Sequence, residues 1–255
     1  MQVAVLLAGV ADPKWPLPAD LSPAALQAHE ARHATLSPFD EAALELALAL
    51  RDADPQVRIT TIVAADEALA RKVAGWRPDA IPRAHLDEVP RWDARALGTA
   101  LAQALADLAP QADLVLAGRE FGDWDDGSAV AALAQRAGLV HVTLGLGVQS
   151  QDGALQATRQ APGGLERVRL PARTLLSVTN DRGNRLRHPL MKNVMAARKA
   201  AIGTWRPAGS AGGLRLEAVQ PVVAPERQAA CEWLEGTPQE QAQALAQLLL
   251  AEAKA

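Results

Sequence analysis

Two stretches of the chain hold residue types at spacings that can do chemistry. The first is Gly118–Gly127, GREFGDWDDG. It places Arg119 and the carboxylates of Glu120, Asp123, Asp125 and Asp126 between an apolar run and a helical pattern opening at Ser128. A loop so placed offers backbone N–H groups to a phosphate at the helix N-terminus; the alternative is a plain connecting loop with a turn. The second stretch is Arg185–Asn193, RLRHPLMKN, where Leu190 and Met191 stand among cationic and polar neighbours. One exposed apolar anchor among adaptable polar groups suits protein docking. Lys192, Arg198 and Lys199 would steer an acidic partner there; the alternative is a solvated loop. His188 is no catalytic base, because no Ser or Cys nucleophile is placed with it. His29, His33, His85 and His141 lack metal-ligand spacing, and the one cysteine, Cys231, belongs to no CxxC or Cys/His cluster. The residues point to binding and docking, with no metal and no catalytic acid, base or nucleophile.

Composition narrows the partners. The 255 residues are 49% hydrophobic and 22% charged, with a net charge of −3. This is an ordinary balance for a globular chain, and it sets up no global basic field for nucleic acid or an anionic membrane. Six scattered Trp, two Phe and no Tyr make no stacking platform for single strands. The apolar run Val3–Ala8 is about six residues long with no basic segment before it, so it is not read as a signal peptide. No apolar run approaches the ~20 residues that span a bilayer. A cytoplasmic location is expected, or an organelle matrix if a presequence has been removed.

The elements that must position the two stretches follow from periodicity. Gln2–Ala8 is a strand buried on both faces. Ser37 N-caps a helix with Pro38 at its first position and Asp40 and Glu41 complementing the dipole, and Asp54-Pro55 ends it. Val57–Val63 is a β-branched strand. Asp66–Gly75 reads as a helix, Arg83–Leu86 as a short strand, Asp93–Leu108 as an Ala/Leu helix, Asp113–Ala117 as a strand and Ser128–Ala137 as a helix. This alternation predicts an α/β, Rossmann-like, mainly parallel sheet with helices on both faces. Ligands bind such sheets at the carboxyl ends of the strands, which Ala8–Pro13, Ala64–Asp66 and Gly118–Gly127 reach. Beyond about residue 140, strands at Val140–Val148, Ala154–Arg159, Leu165–Leu170 and Thr174–Thr179 follow in quick succession with hairpin-like turns, so an antiparallel extension is expected. A polar loop at Asn180–His188 and a basic helix near Val194–Lys199 come next. Residues 1–205 form the expected domain. Residues 206–255 form a linker (AGSAGG) and a C-terminal arm whose helix, Pro238–Ala253, has no core of its own and must dock on this domain or on another chain.

Three segments in register carry a resemblance. Ser37–Glu45 (SPFDEAALE) is similar to a pattern of the NPFDE-x-ALE type. Arg159 and Gly163-Gly164-Leu165-Glu166 match a REIDGGLE-type hairpin. Asn184, Arg187, Asn193, Met195, Ala197 and Lys199 follow a NEPRY…IMKAKKK stretch. Together they resemble the beta subunit of electron-transfer flavoproteins over about residues 1–205. The resemblance implies a heterodimer with an alpha subunit, with FAD held mainly by alpha at the interface. It also implies an adenine nucleotide in beta, AMP in the common form, and a loop that docks a flavin dehydrogenase as electron donor. The cofactor-binding candidates it implies are Leu6, Ser37, Pro38, Phe39, Asp40, Ala65, Gly118, Arg119, Asp123, Asp125, Asp126, Gly127, Ser128 and Ala129. The docking candidates are Arg187, His188, Leu190, Met191 and Lys192, with Met191 as the apolar anchor.

Departures from the pattern cluster on the ligand edge. Val130 stands where the family's nucleotide loop has a close-approach glycine, and a side chain there blocks a phosphate. Ala8 and Gly9 replace basic or polar residues, and Trp124 is a candidate to fill the nucleotide site. The expected function is an electron-carrying subunit without catalytic residues of its own, passing electrons through FAD from a dehydrogenase to an acceptor such as a quinone oxidoreductase. A stand-alone adenine-nucleotide-binding module and a non-redox scaffold that has lost its nucleotide are the alternatives.

Overall fold

The computed structural model describes residues 1–151, 153–209, 213–214, 217–220 and 233–252. Cys231, the middle of the AGSAGG linker and the last residue of the expected terminal helix lie outside them. Residues 1–219 and 220–255 form two compact units.

In chain order the first unit begins β1 (Gln2–Leu7), β2 (Val10–Ala11), α1 (Pro23–Arg32), β3 (Ala34–Thr35), α2 (Pro38–Ala53), β4 (Arg58–Val63) and α3 (Glu67–Val73). It continues with β5 (Pro82–Ala84), α4 (Ala94–Leu108), β6 (Leu114–Gly118), α5 (Ser128–Ala137) and β7 (Val140–Gln151). Then come β8 (Ala154–Ala161), β9 (Gly164–Leu170), β10 (Thr174–Val178), α6 (Met191–Ala197) and β11 (Gly203–Trp205). The described helix of the second unit is α7 (Pro238–Glu252).

Nine strands form one sheet in the order β11-β5-β4-β1-β6-β10-β7-β8-β9. Pairing is parallel from β11 through β7 and antiparallel only across β7-β8-β9. The parallel α/β sheet is as expected, but the extension is smaller than expected. Thr174–Val178 leaves the antiparallel run and inserts between β6 and β7, parallel to both. Its five residues are all buried, which is the signature of a strand covered on both faces.

The alternation along β1 divides the core. Val3, Val5 and Leu7 point to one face, packed under α2 and α3, while Ala4, Leu6 and Ala8 point to the other with residues of α4 and α5. Helix starts follow their caps. Ser37 and Asp40 form a capping box at α2, Asp66 accepts from Leu69 N–H at α3, and Asp93 accepts from Ala96 N–H at α4. Helix α1 was not anticipated. Its start, Ser22-Pro23, repeats the Ser37-Pro38 start of α2, but none of its residues is fully buried.

Candidate functional site

The order of the central strands reverses at β1, which has β4 on one side and β6 on the other. The loops leaving the carboxyl ends of β1 and β6 therefore flank the position where an open α/β sheet receives its ligand. Both loops are tied down from within the chain. Asp40, fully buried, accepts hydrogen bonds from the backbone N–H of Ala8 (3.1 Å), Gly9 (3.1 Å) and Ser37 (3.2 Å). Burial pushes its carboxyl above the usual range, against the pull of those N–H groups. Asp40, a cofactor-binding candidate in the sequence, thus fastens the first loop onto α2. Gly9 takes a left-handed backbone, φ 71°, in which a side chain is strained.

The second loop, Arg119–Gly127, is likewise organised by its own carboxylates. Asp125 accepts from Phe121 N–H (2.9 Å) and Ala129 N–H (3.0 Å), while Asp126 accepts from Ser128 N–H (3.1 Å) and its hydroxyl (2.5 Å). Those bonds hold the Asp126 carboxyl below its ordinary pKa. The amides of Ser128 and Ala129, expected phosphate donors at the start of α5, are therefore already partnered. A Cβ on Gly118 would meet the Cβ of Phe39 at 2.8 Å, so only glycine lets Phe39 pack against the end of β6. Arg119 lies over the Phe39 ring, 4.8 Å from its centroid, and pairs with Glu120 at 2.7 Å.

Phe39 and Pro38 border a cleft of about 520 Å³, completed by Val10, Leu36, Lys14 and the Glu120–Asp123 turn. Asp123 lies at its rim, exposed as a residue but with its carboxyl partly desolvated, which raises the pKa. Of the remaining candidates, Leu6 and Ala129 are fully buried and reach no cleft with their side chains, and Ser37 serves as the α2 cap. Ala65, at the end of β4, lines a separate gap under α1.

The docking stretch stands apart from this edge. Leu190 is 60% exposed and Met191, which begins α6, is 75% exposed. Val194 and Met195 continue the apolar surface. His188, exposed, and Arg198 line a groove of about 750 Å³ shared with Arg71, Lys72 and Trp76. Lys192 is exposed. Arg187 is not free for a partner. It is held by Glu45 (2.6 Å) and by Asp52, and its carbonyl accepts from the Trp76 indole at 2.7 Å. Hydrogen bonding to Glu45 is the largest influence raising its pKa. Asn184, almost fully buried, donates to the carbonyls of Leu146 (3.1 Å) and Thr179 (2.9 Å), and its own carbonyl accepts from Asp181 N–H. A tied base thus carries an exposed apolar tip.

Comparison with known proteins decides the family, because the electron transfer flavoprotein domain matches residues 25–209. The chain belongs to the electron transfer flavoprotein family. It is 28% identical over 184 residues to a protein named electron transfer flavoprotein subunit beta from Syntrophomonas wolfei, covering 71% of each chain. It is 28% identical over 175 residues to a protein of the same name from Megasphaera elsdenii, covering 65% of this chain and 64% of the relative. Among the described residues no helix is long and apolar enough to cross a membrane.

The groups that this family implies fit the site unequally. The Phe39 cleft, part apolar and about 520 Å³, is large enough to offer a wall to a flavin. The gap over the carboxyl ends of β1, β4 and β5 does not fit an adenine nucleotide. It measures about 40 Å³, against the ~300 Å³ or more of a ligand pocket. What sequence reasoning missed is the reason. Glu30 of α1 forms an ion pair with Arg91 across this gap, and Gln27 donates to the carbonyl of Asp87 at 3.3 Å. Beside them Trp92 and Trp124 pack edge to face, centroids 5.9 Å apart. The Ser22-Pro23 start was the signal that could have found α1.

Proposed function

We propose that this chain is the beta subunit of a heterodimeric electron-transfer flavoprotein. Paired with an FAD-holding alpha subunit, it helps pass electrons from a flavin dehydrogenase to an acceptor such as a quinone oxidoreductase. The observation that carries the reading is the coincidence of the family match with the fixed Ser37–Asp40 turn. The capping box and the Asp40 clamp hold that turn, Gly118 admits Phe39 against β6, and an aromatic face results at the mouth of an open cleft.

The flavin, when bound by the partner, supplies the redox chemistry; this chain contributes positioning. Phe39 and Pro38 shape an apolar wall and Arg119 lies over Phe39 as a fixed cation, while Leu190 and Met191 form the tip that a dehydrogenase would bury. Desolvating such a tip gives binding energy, and the flanking Lys192 and Arg198 favour an acidic partner surface. The closed gap under α1 disfavours the alternative of a stand-alone nucleotide-binding module.

Co-expression with a candidate alpha subunit tests the reading. A 1:1 complex with a flavin absorbance spectrum and FAD released on denaturation supports it. A chain that purifies colourless and well folded and ignores every flavin-binding partner sinks it.

A further inference from the structure

We propose that helix α1 fills, from within the chain, the crevice in which this kind of sheet receives a nucleotide, so that the protein carries no adenine nucleotide of its own.

Three independent features lead there. The first is space. The gap bounded by Ala8, Gly9, Ala64 and Ala65 on the sheet side and by Gln27, Glu30 and Ala31 of α1 on the other holds about 40 Å³, room for about one water molecule. The second is the fate of the donors. A phosphate at a strand-to-helix turn is bound by backbone N–H groups. Here the N–H groups of Ala8 and Gly9 are given to Asp40, those of Phe121 and Ala129 to Asp125, and that of Ser128 to Asp126. The protein's carboxylates take the bonds an anion would need. The third is charge. Glu30, Asp66 and Asp87 all line the gap, and both of its cations are engaged: Arg91 with Glu30, Arg83 with the carbonyl of Ala65 at 2.7 Å. An entering phosphate would meet three carboxylates against two guanidinium groups, one paired with Glu30 and the other fixed through its Nε.

The neighbouring clefts do not rescue a nucleotide: the one of about 520 Å³ beside Phe39 is lined by the carboxylates of Asp12, Glu120 and Asp123 against a single cation, Lys14. The other lies between α1 and the Asp87–Trp92 segment, holds about 280 Å³, and is lined by Glu30, Asp87 and Arg91 with Trp92 and Trp124. Its aromatic walls would accept a base, but Arg91 is already paired with Glu30 and the Asp87 carboxylate repels the phosphate that must accompany the base.

The plug is held by few contacts. The Glu30–Arg91 ion pair is its main side-chain anchor, with Gln27 to the Asp87 carbonyl and the short β2–β3 pairing at its base. Removing Arg91 should therefore loosen α1 without touching the core.

The test uses the full chain, alone and in complex with its partner. Nucleotide released on denaturation is measured by chromatography, and thermal melts are run with AMP, ADP and ATP. No AMP and no change in melting temperature are expected. One AMP per chain, or a rise of about 5 °C or more at ~1 mM nucleotide, overturns the proposal. Hydrogen exchange then checks the anchor. In Arg91→Ala the amides of residues 23–32 should exchange at least about tenfold faster while those of β1 and β6 are unchanged; equal rates in α1 would show that it is not pinned as proposed. The inference stands apart from the carrier reading. AMP found in a complex that also holds FAD would overturn the plug and leave the carrier, and a complex without FAD would do the reverse.

Discussion

The two ends of the site are built on opposite plans. At the carboxyl edge of β1 and β4 the chain uses its own groups to satisfy and cover everything a ligand would use: carboxylates on the amides, an ion pair across the gap, a helix over the top. At Arg185–Met195 it does the reverse. Buried Asn184, part-buried Glu45 and exposed Asp52, the last two partners of Arg187, fix the base of the loop, and four large apolar side chains are left bare. A bare apolar tip on a fixed base is preorganised for a partner, because little conformational entropy remains to be lost on docking. A closed crevice is preorganised for nothing further. On the proposed reading, the difference moves recognition from the crevice to the apolar tip.

The largest effect on this contrast belongs to Asp40. Asp40→Ala would leave the N–H groups of Ala8, Gly9 and Ser37 unpartnered in a buried site, and is expected to cost about 3–5 kcal/mol in urea unfolding. Asp40→Asn keeps the shape but turns an amide NH2 toward N–H donors, and should lose about 2 kcal/mol. An Asp40 variant as stable as the native chain would show that the clamp is not what closes the β1 loop.

Next is the open end. Met191→Ala should lower the rate of electron delivery from the donor dehydrogenase about tenfold or more. Heterodimer formation should persist and stability should stay within about 0.5 kcal/mol. An unchanged rate removes Met191 as the anchor. Arg187→Ala should act on the base instead. With the Arg187 side chain 42% exposed, solvent screening limits the loss to about 1 kcal/mol. Because the tip then loses its support, the docking rate should fall as well, and a fall in rate alone would mean that Arg187 touches the donor directly.

Much of this was legible in the residues. The Ser37-Pro38 start, the strand after Asp113 and the helix at Ser128–Ala137 are local decisions, made by caps and periodicity, and the structure repeats them. The destination of the Asp40 carboxylate was not legible, because its partners lie 31 and 32 residues away. Thr174–Val178 was misassigned to the antiparallel run because hairpin spacing before it suggested continuation; its unbroken burial is set by strands far away in sequence. Helix α1 escaped because periodicity is visible only where a face is buried, and α1 buries none of its residues fully. The closure of the crevice, the feature that most alters the expected ligand chemistry, thus rests on the element with the weakest sequence pattern.

The smallest effect probes that closure directly. Glu30 is largely enclosed, and burial, its dominant influence, raises its pKa above the ordinary glutamate value. The nearby charge of Asp123 adds to the rise, and Arg91 only partly offsets it. A carboxyl whose folded pKa exceeds its unfolded value binds its proton more tightly when folded. Its contribution to stability is fully present below the unfolded pKa and is lost as pH rises through the folded one. Glu30→Gln removes the titration. Its stability relative to the native chain should therefore improve as pH rises above the ordinary glutamate pKa of about 4.3. Urea midpoints at several pH values measure the difference. A relative stability that instead worsens as pH rises would mean that Arg91 dominates, that Glu30 favours its charged form in the folded state, and that the pair over the crevice is a strong ionic latch.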